Sequence, residues 1–191
     1  MRIISFVRAI AIAGFVIALL TAMWTTFTTK AVFAGDENQK LDIYDNCDPR
    51  DPAWASVGGC DLDPSEGDVT LAEFGSLLMS PLSTATIGHP SWRFEPSYLR
   101  VDFGKRLKVE NEGGRDHTFT EVVAFGGGRV GGLNVGLVIA PECVLAPGTT
   151  DPTLLHPEQS LDVSALGPGL HKFQCCIHPW MRSAVRVEQP K

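Results

Sequence analysis

From residue 97 to the C-terminus the chain breaks into short runs in which apolar and polar residues alternate, each ended by glycine, proline or a charged turn. Alternation places every second side chain on one face, so such a run is stable as a strand with one face buried. Tyr98-Leu99-Arg100-Val101, Arg106-Leu107-Lys108-Val109-Glu110, residues 117–123, Gln159-Ser160-Leu161-Asp162-Val163, residues 171–175 and Ala184-Val185-Arg186-Val187 all fit. Several short strands at this spacing predict a sandwich or barrel. Glycine and proline are plentiful and helical periodicity is rare, which favours one all-β domain around one core. Residues 126–157 read as loop. The glycines at 126–128 and 131–132 have no following helix, so they suit a turn and not a phosphate cradle.

Residues 35–96 have another character. Asp48-Pro49, Asp51-Pro52 and Asp63-Pro64 each push the residue before proline out of the helical region. One short helix is expected over residues 69–79, where Leu71, Phe74, Leu77 and Leu78 recur at helical spacing behind Asp68 as N-cap. A bridge between Cys47 and Cys60 would staple the loop around Trp54, worth roughly 3 kcal/mol in the chain-entropy model. The segment is expected to be an irregular, partly helical extension.

Residues 1–34 read as an export signal: Arg2 and Arg8, an apolar stretch over residues 10–24, then Ala31-Val32-Phe33-Ala34 before a polar run. The alternative is an uncleaved membrane anchor, since the apolar stretch is only a little short of the roughly 20 residues a span needs. Either reading puts the remainder in the periplasm or outside the cell, and the membrane becomes a partner only if the segment is retained.

The net charge is −6, unevenly spread: residues 36–73 carry eleven acids against two bases, while residues 97–191 carry ten of each. No basic footprint for nucleic acid exists.

The cysteines number five, all beyond the export segment. In an oxidising compartment an odd count leaves at least one thiol unpaired. Two of them lie in Phe173-Gln174-Cys175-Cys176-Ile177-His178-Pro179-Trp180-Met181. A thiolate donor, an imidazole and a thioether follow one another at three-residue intervals, and Pro179 ends any strand there, so a bend could gather them on one ion. His117, opening another predicted strand, is a second imidazole. Two nitrogens, a thiolate and a weak thioether are the donor set of blue-copper electron-transfer sites.

At these residues the chain resembles the cupredoxin family, which includes plastocyanin and amicyanin. Phe173-x-Cys175-x-x-His178-x-x-Met181 matches the family's C-terminal signature with a short, amicyanin-like loop, and Ala184-Val185-Arg186-Val187 matches the strand that follows. The turn Asn111-Glu112-Gly113-Gly114-Arg115-Asp116-His117 matches the upstream signature. The resemblance covers residues 97–191, and residues 35–96 have no counterpart. It implies an all-β, cupredoxin-like Greek-key β-sandwich binding one Cu(I)/Cu(II) ion. His117, Cys175 and His178 would form a trigonal plane, with Met181 as a long axial contact. Thr118 departs from the family, where asparagine after the first histidine helps hold the copper loop; a threonine hydroxyl could replace that bond. The interval from His117 to Cys175 is longer than in small members, so 126–157 is expected to cover one side of the site. Cys175 has the family's two-residue gap to His178 and shares a strand face with Phe173, so it is expected as the ligand and Cys176 as the partner of Cys143.

The implied function is a monomeric carrier of single electrons between redox proteins, not an enzyme. The alternative is a copper delivery or storage protein using the same site. A multicopper enzyme would need additional histidines for a second centre. His89, His156 and His171 are read as surface or hydrogen-bonded residues and not as ligands. Trp180, beside His178, is expected either in the core or in an apolar rim where a partner docks.

Overall fold

A computed structural model describes residues 38–79, 88–134 and 136–189; residues 1–34, read from the sequence as an export signal or membrane anchor, lie outside the described residues. Ten strands are present among these residues: β1 (Asn38–Tyr44), β2 (Arg93–Glu95), β3 (Tyr98–Asp102), β4 (Arg106–Asn111), β5 (His117–Thr118), β6 (Thr120–Val122), β7 (Leu154–Leu155), β8 (Ser160–Val163), β9 (Gly169–Gln174) and β10 (Arg182–Glu188). They build one sheet in the order β2-β1-β4-β8, a second in the order β3-β10-β9-β6, and a ribbon of β5 with β7. The chain changes sheet at every step except from β1 to β2 and from β9 to β10, so neighbours in sequence are seldom neighbours in a sheet. Within the sheets, β1 runs parallel to β4 and β10 parallel to β3, and the remaining pairings are antiparallel.

Alternation decides the faces. Leu41 and Ile43 of β1, Leu107 and Val109 of β4, Leu99 and Val101 of β3, and Val185 and Val187 of β10 are all buried in one core drawn from both sheets. Phe119 stacks on Phe173 with ring centroids 4.3 Å apart, and Phe94 packs on Phe119 at 5.2 Å. This is the all-β sandwich of two sheets expected from the sequence.

The predicted run over 117–123 is divided in two. Phe119 donates its N–H to the Thr153 carbonyl, and the strand switches partner from β7 to β9 at that point. On the outer side of the first sheet, Lys40 of β1 bridges Asp42, Glu110 and Glu112, and Lys108 pairs with Glu110.

Residues below the expected boundary at 97 contribute to the sandwich. β1 and β2 belong to the first sheet, and the described residues lie in one compact unit. The expected helix is α1 (Leu71–Met79), burying Phe74. It begins two residues later than the sequence indicated: the Thr70 hydroxyl, not Asp68, accepts the Glu73 N–H at 3.2 Å. Phe74, Trp54, Trp92 and His89 form an aromatic cluster, with Phe74 and Trp92 at 4.7 Å. The expected Cys47–Cys60 disulfide is formed beside it.

Candidate metal centre

The bend between β9 and β10 is closed by its own backbone. The Cys175 N–H donates to the Met181 carbonyl at 3.0 Å, and the Met181 N–H donates to the His178 carbonyl at 2.9 Å. Proline at 179 and this double closure turn the chain sharply enough to aim His178 back at the cysteine three residues earlier. β5 enters from the other side and carries His117.

The three side chains meet. His117 Nδ1 and His178 Nδ1 each lie 3.8 Å from Cys175 Sγ. The three candidate ligand atoms are all within 4.8 Å of one another, and all three residues are buried. A first-row ion at about 2.3 Å from a thiolate and about 2.0 Å from an imidazole, with about 120° between the bonds, sets sulfur and nitrogen about 3.7 Å apart. The donor spacing therefore fits a metal ion between them. Met181 is 1 % exposed, enclosed in the same loop.

Cys175 is the free cysteine; Cys176 is bridged to Cys143 as expected. Two backbone amides, of Thr118 and His178, donate to Cys175 Sγ at 3.4 Å each. Burial alone would push the thiol up, but the flanking His117 and His178 imidazoles outweigh it and hold the thiol well below its usual range. Burial also lowers His178. For His117, burial is more than offset by Asp45 and Cys175, which together raise it to about 9.

The Thr118 hydroxyl accepts the Cys176 N–H at 2.7 Å, tying the 175–181 bend to β5. The 126–157 stretch is clipped to the loop's other side by the Cys143–Cys176 bridge, by Arg129 N–H donating to the Cys176 carbonyl at 2.7 Å, and by Gln174 accepting the Gly126 N–H at 2.9 Å. A Cβ at Gly128 would sit 2.4 Å from the Cys176 carbonyl oxygen, so the backbones pass too closely there for any side chain.

The histidines set aside in the sequence are engaged elsewhere. His156 meets Asp116 at 2.7 Å, His171 meets Glu121 at 2.6 Å, and His89 packs edge-on against Trp92. Trp180 is partly buried and packs against the core. Phe74 packs on it at 6.2 Å, and Gly88, at φ +92°, lies so close that a Cβ would fall 2.1 Å from the indole. His178 instead contributes to the wall of a cleft of about 250 Å³, lined also by Val57, Asp61, Arg115, Asp116 and Ile177.

One residue beside the site had no signal in the sequence. Asp45, just after β1, meets His117 Nε2 at 2.8 Å with both side chains fully buried.

No protein-family model and no curated protein matches the chain. Among solved structures it is similar to a novel purple cupredoxin from Nitrosopumilus maritimus, at 15 % identity and a TM-score of 0.37, over 52 % of this chain and 86 % of that one. It is also similar to an amicyanin variant in the Cu(I) form, at 20 % identity and a TM-score of 0.34, over 50 % of this chain and 73 % of that one. A second reduced amicyanin variant aligns at 21 % identity with the same TM-score and coverage.

Proposed function

We propose that this chain is an extracytoplasmic mononuclear blue (type 1) copper protein that carries single electrons between redox partners, with His117, Cys175 and His178 as equatorial donors and Met181 as a long axial donor. The observation that carries the reading is a free, buried cysteine whose sulfur has two imidazole nitrogens at 3.8 Å. Bound copper would supply a one-electron couple, because soft sulfur favours the reduced ion while imidazole tolerates the oxidised one.

The residues do the rest. The Thr118 and His178 amides stabilise negative charge on Cys175. The loop closure through Met181, the Thr118 hydroxyl and the Cys143–Cys176 bridge keep the donors in place, so little rearrangement would accompany oxidation or reduction. His178, in the cleft wall, offers the route by which a partner's redox group approaches. Two disulfides suit an oxidising compartment. No helix among the described residues is long and apolar enough to cross a membrane.

The test is optical. Copper-loaded protein is expected to show an intense visible thiolate-to-copper band that disappears in Cys175→Ser. A colourless copper complex of the unsubstituted protein would refute the blue-copper reading.

A further inference from the structure

We infer that Asp45 is a positioning residue for the metal centre: its buried carboxylate orients His117 through Nε2, and its negative charge favours the oxidised over the reduced ion. The inference rests on the copper reading above and adds to it a residue from the segment that has no counterpart in the cupredoxin resemblance.

Imidazole has two nitrogens, and the partner of one fixes what the other can do. A carboxylate accepts, so Nε2–H donates to Asp45 Oδ2 at 2.8 Å; in the neutral imidazole that binds a metal, this leaves the lone pair on Nδ1, the atom that faces Cys175. Metal-ligating histidines generally hold their second nitrogen in this way, and a carboxylate there makes the ligand more basic. Asp45 is itself held rigidly: its oxygens also accept the N–H groups of Cys47 at 3.4 Å, Gly114 at 3.1 Å and Arg115 at 3.0 Å. The turn leading to His117 is therefore wrapped around one carboxylate contributed from 72 residues upstream.

The fit admits no slack. A Cβ added to Gly113 would fall 2.2 Å from Asp45 Oδ2 and 2.8 Å from its Cγ. Arg115 fastens the same turn to the 52–60 loop, donating to the carbonyls of Val57 and Gly59 with its guanidinium over Trp54 at 5.1 Å. An ionised carboxylate this deeply buried stabilises added positive charge nearby and disfavours its loss. Since oxidation adds one positive charge to the metal, the carboxylate lowers the reduction potential.

The experiment compares Cu(II) and Cu(I) affinities and the potential in wild type and Asp45→Asn. Loss of a carboxylate behind a ligating histidine typically costs about 10–100-fold in metal affinity, and here the loss should fall mainly on Cu(II). Each tenfold excess loss of Cu(II) over Cu(I) raises a one-electron potential by about 59 mV. Gly113→Ala, which displaces the carboxylate while retaining its charge, should weaken Cu(II) binding as well, and it serves if Asp45→Asn does not fold. A folded Asp45→Asn protein with wild-type potential and affinities overturns the inference and leaves the copper reading intact. Equal losses for both ions overturn the charge assignment, and copper-free variants that are both unfolded would make Asp45 a folding residue only. If the wild-type complex proves colourless, the blue-copper reading fails, while the affinity ratio still decides the role of Asp45.

Discussion

A fully buried thiol between two imidazoles, with two amides pointing at its sulfur, is chemically unlike a core cysteine. Met181 shares that enclosure, and its thioether is the soft donor expected to favour the reduced ion. Met181→Gln replaces it with a harder oxygen donor, so the variant should retain copper and show a lower reduction potential by voltammetry. An unchanged potential would remove Met181 from the coordination sphere. The grouping of Cys175 and His178 with His117 was legible because Cys175 and His178 lie three positions apart beside Pro179, and strand alternation separates Cys175 from Cys176. Asp45 was not legible. Its neighbours Tyr44 and Asn46 give no local cue, and the contact that defines it closes over 72 residues.

Among the elements, those with two or more clear alternations were legible, including β3, β4, β8 and β10. β1 was missed because only Leu41 and Ile43 alternate within a charged stretch, and its parallel partner β4 is remote in sequence. Only the pairing shows why its polar positions are tolerated: Lys40, opposite Lys108, reaches diagonally across the two strands to Glu110 at 2.6 Å. Lys108 and Lys40 together lower the Glu110 carboxyl from 4.5 to about 2. With the folded-state value depressed, the unfolded chain binds more protons between those limits, so stability rises with pH through this window. The contribution is complete above about 4.5 and is lost as pH falls towards 2. Glu110→Gln should flatten that part of an unfolding-midpoint against pH curve, by less than about 1 kcal/mol since the lysines are solvent-exposed. A wild-type slope in the variant would contradict the assignment. β7 was missed for another reason: two residues are too few to carry a period.

At the scale of the molecule, the acidic N-terminal part is built into the domain. It supplies two strands, the aromatic cluster whose Phe74 packs on Trp180, and the carboxylate behind His117. The sandwich was predictable from residue 97 onward, where periodicity is strong. How the earlier residues join it was not, because they attach through tertiary contacts made by Asp45, Trp54 and Phe74 and not through a local pattern. In the proposed centre three atoms from two distant parts of the chain meet at one ion. X-ray absorption at the copper edge of the loaded protein tests this most directly: one short copper–sulfur contact with two imidazole nitrogens is predicted. A first shell of nitrogen and oxygen alone, without sulfur, would contradict it.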